Sequence, residues 1–578
     1  MKLVRKALRK VRRRQQEVFH ATRRGHRGSP RPPLFPLDLQ SDRPDLVLVV
    51  VIDGLRPDSI DPRHTPNLHR LRAEGVSFLD ARAVFPTGTR VNAAAITTGT
   101  YPGSNGLLGN SMYLRQLGDG RPWSLQGYED LLRAQRELDG RLLLRESLGE
   151  ILARHDMKLA AVSSASTGSS LLLSPKAPEG VGVLVNGAFE PGIRVAFPDD
   201  ANREVLARFG PAPPKAGHAR SRGALVDWTQ RVLMEYVVPE LAPDVVIDWI
   251  TEPDHTQHAY GVGSPEALKA IGAVDRNIGY ILAKLEELGL AGRTDVFILS
   301  DHGVTRYERA IAVDQMLIQS ALKAREGSDD VVVVANGPCA QLHVSGHEAD
   351  RVEAIVAFLR RQEWSGVIFT PANRPPYESG SIGSTDGPAD GPTPTRGWVD
   401  GTFALELAHL FNPDRSCDVL LTFPWGSATN EFGVPGTDVT TAVGRKTLHS
   451  GHGSLSPWAM RTTLIARGPS FKRACAIRVP VDHVDLVPTI LCLKGIQVPG
   501  GLDGRVVAEA LRDGPDEEKV EVQTRTATIE SHDGNYRAAV QVSEVDGHRY
   551  LDKAWRLGSN NGRPAGLAAE AGSRARTR

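Results

Sequence analysis

Six side chains of metal-ligating types stand at intervals along this 578-residue chain: Asp53 in VVVIDGL, Asp254 and His258 in TEPDHTQHAYG, Asp301 and His302 in ILSDHGV, and His452 in HSGHGS. Three carboxylates with three imidazoles form a mixed oxygen and nitrogen set. Such a set suits zinc, and also manganese or iron, whereas calcium and magnesium take oxygen alone. Asp254 and His258, four residues apart, share a face if their segment is helical. Asp301 and His302 are adjacent and cannot face one way on a strand, but a tight loop ended by Gly303 would turn both inward. Each fragment alone also fits a turn or a helix cap. Their joint occurrence after successive strands points to a metal site.

A hydroxyl of interest is Thr89, in FPTGTRVNAAAITTGTYPGSNGLLGN. Arg90–Thr98 reads as a short helix, favoured by Ala93–Ile96 and closed by Gly99, which puts Thr89 at the N-cap. A hydroxyl there has a structural reading, as a cap. It also has a chemical one: the helix N-terminus favours an anion, and a metal on the Thr89 oxygen would lower its pKa toward an alkoxide nucleophile.

The elements that must deliver these groups are legible in outline. Leu46–Ile52 is an unbroken apolar run, as a strand buried on both faces requires. Val245–Ile250 and Val296–Leu299 read the same way. Between them Ser264 and Pro265 start a helix whose apolar face runs Leu268, Ile271, Val274, Ile278, Ile281, Leu285, Leu288, with Gly289 after it. Strand, helix, strand implies an α/β fold with a mostly parallel central sheet flanked by helices on both faces. Functional residues of such sheets lie at the carboxyl ends of strands, where Asp53, Asp254 and Asp301 fall. The expected organisation is a basic, Pro-rich leader over 1–40, a first core segment over 41–330 and an inserted α+β subdomain over 331–435. Core segment 436–515 and an extension, 516–578, with a disordered end, complete it. The stretch 371–401, rich in Gly, Pro and Ser, reads as a flexible loop and a candidate lid.

Taken in order, these motifs resemble the type I phosphodiesterase/nucleotide pyrophosphatase family of the alkaline phosphatase superfamily. The resemblance rests on Asp53-Gly54, Thr89 with Asn92, Thr98-Gly99-Thr100-Tyr101-Pro102 and Gly106-Leu107-Leu108-Gly109-Asn110. It continues through Glu252-Pro253-Asp254 with His258, Ser300-Asp301-His302-Gly303, and Gly451-His452-Gly453. It covers roughly 45–310 and 436–510, and implies an alkaline-phosphatase-like fold and a hydrolase of phosphate esters. It further implies two divalent cations about 4 Å apart, with zinc the metal that the ligand types suit. Asp254, His258 and His452 would hold the first, which activates water. Asp53, Asp301 and His302 would hold the second, which also binds the Thr89 oxygen. Asn110 would hold a phosphoryl oxygen, and the reaction would pass through a phospho-threonine with net retention at phosphorus. The chain departs from the pattern where Arg90 replaces the Phe that follows the nucleophile and Asn105 replaces a His. Arg90 is therefore a candidate substrate-binding residue for a second anionic group, unless it points to solvent or pairs with a surface acid.

Composition sets bounds. Residues 1–31 hold twelve Lys and Arg against Glu17 alone, while the whole chain is at +1, so the body is mildly acidic and does not predict nucleic-acid binding. Leu3, Val4, Ala7, Leu8 and Val11 fall at helical spacing among those cations. That pattern suits peripheral membrane contact through residues 1–20, or a solvated tail. Cys339, Cys417, Cys475 and Cys492 form no CxxC pair, no apolar run reaches membrane-spanning length, and the leader lacks a signal peptide's apolar stretch, so a cytoplasmic location is expected. No Cys-x-Pro-x-Arg motif supports sulfatase chemistry. The alternatives are a phosphomonoesterase or phosphonate hydrolase on the same scaffold, or a non-catalytic membrane-docked relative. The partner expected is a small phosphate ester or nucleotide-like substrate, and oligomeric state is open.

Overall fold

A computed structural model of the chain describes residues 43–118, 120–190, 194–214, 221–375, 393–442 and 448–558. The leader, the middle of the 371–401 stretch and the end of the C-terminal extension lie outside these. Nine strands make the central sheet: β1 (Leu46–Ile52), β2 (Val76–Phe78), β3 (Leu159–Ser163), β4 (Val183–Glu190), β5 (Arg194–Phe197), β6 (Val245–Ile250), β7 (Thr294–Leu299), β8 (Leu464–Arg467) and β9 (Cys475–Ile477). Their spatial order is β9-β2-β8-β7-β1-β6-β3-β4-β5. Pairs β7–β1, β1–β6, β6–β3, β3–β4 and β2–β9 are parallel, and only the pairs β7–β8, β2–β8 and β4–β5 are antiparallel. The sheet is thus mostly parallel, with β1 at its middle.

Every residue of β1 is buried. Leu46, Leu48, Val50 and Ile52 join one apolar cluster with Leu68 and Leu71 of α1 (Pro66–Glu74), Leu225 and Val226 of α3 (Gly223–Val232), and Ile271, Val274, Ile278, Ile281 and Leu285 of α5 (Pro265–Glu287). Val47, Val49 and Val51 face the opposite way and are equally buried, which is why the run shows no alternation. Ser264 caps α5 as its sequence suggests, accepting from Ala267 N–H.

Register decides where the chemistry can assemble. Ile52 lies beside Ile250, and Val51 beside Leu299, so β1, β6 and β7 end level. The chains leaving them reach one rim, where Asp254 N–H donates to the Asp53 carbonyl at 3.0 Å. A four-stranded sheet carries the last contribution to that rim. Thr305–Ile311, which follows the Asp301-His302 loop, pairs with Ser450–Gly451, immediately before His452.

Residues 331–422 supply a separate five-stranded sheet with the helix Ala349–Arg360 beside it in sequence. It braces the segment holding Asn110: Gln341 Nε2 donates to the Leu108 carbonyl at 2.7 Å, and Ser111 N–H to Asn336 Oδ1 at 2.9 Å. Val522–Glu530, Arg537–Val545 and His548–Leu557 form an antiparallel three-stranded sheet. Among the described residues no helix is long and apolar enough to cross a membrane, and the four cysteines are free thiols.

Candidate active site

All six candidate ligand residues meet at the rim. Asp254 and His258 lie one turn apart on the short helix α4 (Asp254–Tyr260), with His258 Nε2 3.2 Å from Asp254 Oδ2. His452 Nε2 stands 3.8 Å from Asp254 Oδ1. His302 Nε2 is 3.1 Å from Asp301 Oδ2 and 3.4 Å from Asp53 Oδ1. The His302 and His452 rings stack with centroids 3.6 Å apart. Ligand atoms of Asp254, His258 and His452 lie within 4.8 Å of one another, and so do those of Asp53, Asp254 and His302. Asp254 is common to both groups. Asp301 reaches the second through its contact with His302 rather than as a member of the tightest triplet.

Two glycines make this approach possible. Gly54 sits at φ +70°, a left-handed conformation that turns the chain sharply after Asp53. A side chain at Gly303 would collide with the Trp458 carbonyl, so the loop after His302 can pass only without one.

The chemistry of the donors fits divalent cations. Each imidazole aims Nδ1 at a backbone carbonyl: His258 at Ser450 (2.7 Å), His302 at Gly303 (3.0 Å) and His452 at Thr87 (2.7 Å). A neutral imidazole that donates from Nδ1 carries its lone pair on Nε2, and all three Nε2 atoms face the cluster. Asp53 Oδ1, Asp254 Oδ1 and Asp301 Oδ2 are buried without a hydrogen-bond partner. Burial, then the charges of Asp301 and Asp254, push the Asp53 carboxyl far above its ordinary range. Burial also raises Asp254, but His258, His452 and His302 more than offset it and the net shift is downward. Burial, then His302, pushes His452 well below the usual imidazole range. Crowded acids with orphaned oxygens, facing imidazole lone pairs, form a site that positive charge relieves.

The helix α2 (Thr89–Thr98) begins one residue earlier than its sequence suggests. Gly88 is the N-cap, with φ −121° and ψ 145°, and Thr89 is the first helical residue with no capping bond. Its hydroxyl is therefore not spent on the helix, and Thr89 Oγ1 lies 3.3 Å from His302 Nε2. Arg90 N–H donates to Asn110 Oδ1 at 2.9 Å. That donor fixes the amide orientation and turns Asn110 Nδ2 away as a donor. Arg90 neither points freely to solvent nor pairs with a surface acid. It is half-buried, Nη1 donates to the Asn110 carbonyl at 3.0 Å, and burial lowers its pKa to about 10 against the opposing charge of Asp53.

Several framing residues escape sequence reading. Trp249 Nε1 donates to Asp53 Oδ2 at 3.1 Å from inside β6, where it reads as one more apolar residue. His483 joins α2 to the Asp301 loop, with Nδ1 2.7 Å from Asn92 Oδ1 and Nε2 2.9 Å from the Ser300 carbonyl. Its segment, 481–485, carries no local signal beyond a capping residue. Arg222 has none either, being the residue before α3.

The model of the family described as type I phosphodiesterase/nucleotide pyrophosphatase matches residues 47–377, more than half of the chain. Venom phosphodiesterase 2 of Crotalus adamanteus is 24% identical over 263 residues, 45% of this chain and 26% of that protein. Ectonucleotide pyrophosphatase/phosphodiesterase family member 3 of Bos taurus is 24% identical over 260 residues, 45% and 25% of the two chains. The match thus spans about a quarter of these relatives' length. Among solved structures, human ectonucleotide pyrophosphatase/phosphodiesterase 5 superposes with a TM-score of 0.54 at 17% identity, covering 81% of this chain and all of that one. An inactive form of the murine protein in complex with AMP gives 0.52 at 18% identity, over 78% and 96%. The fold is shared.

Proposed function

The chain belongs to the type I phosphodiesterase/nucleotide pyrophosphatase family, and from that premise we propose that it is a metal-dependent phosphoric ester hydrolase that works through a phospho-threonine on Thr89. The observation that supports this most is the approach of Thr89 Oγ1 to His302 Nε2 at 3.3 Å, free of any capping bond, at the rim where six ligands meet. Asp254, His258 and His452 would hold one cation, and Asp53, Asp301 and His302 the other with Thr89. Zinc suits the donor set best. The bound pair supplies positive charge that acidifies hydroxyl and water and offsets charge building on the phosphoryl oxygens.

The residues do the rest. Thr89 Oγ1, its proton lost to solvent, forms a bond to phosphorus as the bond to the leaving oxygen breaks, and that oxygen takes up a proton. A water oxygen then attacks phosphorus from the side opposite Thr89, the bond to Oγ1 breaks, and the hydroxyl is restored. Each displacement inverts phosphorus, so the two together retain it. Asn110 Nδ2 donates to a non-bridging oxygen beside the amide hydrogens that open α2, where the helix end favours negative charge. Nucleotide-like phosphate esters are the substrate class we favour, in line with the murine relative in complex with AMP. The scattered free thiols support a reducing compartment as the place of action.

Replacement of Thr89 by Ala tests the assignment. Turnover of a chromogenic diester should fall by roughly 10⁴-fold or more, as for other nucleophile deletions, with bound zinc nearly unchanged by elemental analysis. A variant that keeps more than a few per cent of wild-type activity overturns the role of Thr89.

A further inference from the structure

Arg222 stands against the turn that delivers Asp254. Its backbone N–H donates to Glu252 Oε1 at 2.7 Å, and Glu252 lies two residues before that ligand. Glu252 does not pair the guanidinium, because its oxygens are taken by neutral donors. Oε1 also accepts the Ser221 hydroxyl at 3.1 Å, while Oε2 accepts the Thr256 N–H and hydroxyl at 3.2 and 2.8 Å. Arg222 Nε is buried with no hydrogen-bond partner. Its charge is felt by Glu252, Asp53 and Asp254.

Arg90, from a different element, is in the same condition. Nε is buried without a partner, and its charge acts on Asp53. Two guanidiniums from separate parts of the chain, one beside the turn that carries Asp254 and one against the Asn110 carbonyl, thus each keep a buried Nε without a partner. A buried cationic donor without an acceptor is costly to maintain, and the carboxylates whose charge reaches these arginines, Asp53 and Asp254 among them, are the candidate metal ligands. Once cations occupy the ligand set, those carboxylates no longer offset the arginines. Both guanidiniums then lack an anion, each with a planar fork suited to phosphate or carboxylate.

Building on the hydrolase reading, we propose that Arg222 and Arg90 form an anion-holding wall that selects substrates with a second negative charge close to the scissile phosphorus. The chemical class is a phosphate ester or anhydride carrying a doubly ionised or further phosphate there, or a carboxylate. Arg222 is the element of this wall that no sequence motif announces.

The test uses zinc-loaded full-length protein and two turnover probes, p-nitrophenyl phosphate as a dianion and bis(p-nitrophenyl) phosphate as a monoanion. Arg222→Gln and Arg90→Gln should each lose roughly tenfold to a hundredfold more kcat/KM on the dianion than on the monoanion, mainly through KM. Arg222→Lys should recover part of the loss. Diester turnover by the same samples reports that the variants are folded. A monoester-to-diester ratio unchanged within about twofold overturns the proposal. A second arm needs no catalysis: calorimetry on Thr89→Ala should show pyrophosphate binding more tightly than inorganic phosphate, with that preference lost in Thr89→Ala/Arg222→Gln. Equal preference in both proteins overturns the wall even if the wild type hydrolyses neither probe, an outcome that would sink the hydrolase reading separately.

Discussion

Asn110 shows how much one residue's role depends on its neighbour's backbone. Arg90 N–H needs an acceptor and takes Oδ1, so Nδ2 is the only amide atom left to meet a phosphoryl oxygen. An Asn110→Ala variant should lower kcat for a diester by roughly 10²–10³-fold, the usual cost of one donor to a developing oxyanion, with a smaller change in KM. A fall confined to KM would remove Asn110 from the transition state. At this scale the acids and imidazoles were readable because few residue types bind metals and they recur after strands. The role of Arg90 was open in the sequence and its actual partner, the Asn110 carbonyl, unreadable, since that contact depends on how the loop folds back. Arg222 had no signal, because an arginine before a helix is ordinary until its surroundings are known.

Strand β6 carries the clearest lesson at the level of elements. VVIDWI reads as buried, and it is, yet it encloses Asp248, a fully buried carboxyl met by the amide of Gln230. Gln230 Nε2 of α3 donates to both carboxylate oxygens, at 3.0 and 2.9 Å, while Gln230 Oε1 has no partner. Burial raises the Asp248 pKa from 3.8 to about 7. The folded state thus binds a proton that the unfolded chain releases between these values. Stability from this group is greatest below the lower pKa, declines as pH rises through the window, and is lost above about 7. Asp248→Asn, with an amide that can pair with Gln230 Oε1, should therefore be more stable than wild type at pH 8, by a few kcal/mol at most, and gain little near pH 4. Denaturant titrations at the two pH values check this, and a gain independent of pH would contradict it. Elements were legible where a pattern is local, as in β1, α5 and α4. The start of α2 was misplaced by one residue because glycine caps almost as well as threonine. The expected extension over 516–578 instead holds a three-stranded sheet, with Asp533-Gly534 and Asp546-Gly547, a hairpin-turn signal, between its strands.

Across the whole molecule, residues from Asp53 to His452 must be brought to one rim, and only the tertiary fold does that. The parallel direction of β1, β6 and β7 could be inferred from strand and helix alternation, but not their order in the sheet. The pairing of Thr305 with Gly451 that delivers His452 could not, since no local pattern records a partner so distant in the chain. The C-terminal sheet ties back to the core in the same long-range way, Tyr101 donating to the Arg549 carbonyl and Tyr550 to Asp485 Oδ2, both at 3.0 Å. Because the candidate ligands join when the chain is folded, cations held by them would bind the native state preferentially and stabilise it by mass action. Chelation should lower the thermal midpoint and added zinc restore it, by about 4 kcal/mol of stability when zinc exceeds its dissociation constant a thousandfold. A melting curve indifferent to chelator and zinc would deny the site its cations.

The covalent role proposed for Thr89 is tested most directly by the stereochemistry at phosphorus. A diester made chiral by oxygen isotopes or sulfur is hydrolysed in isotopically labelled water, and the product configuration is read by phosphorus NMR. Two successive displacements, first by Thr89 Oγ1 and then by water, give retention. Inversion would mean that water attacks in a single step, and Thr89 would no longer be the nucleophile.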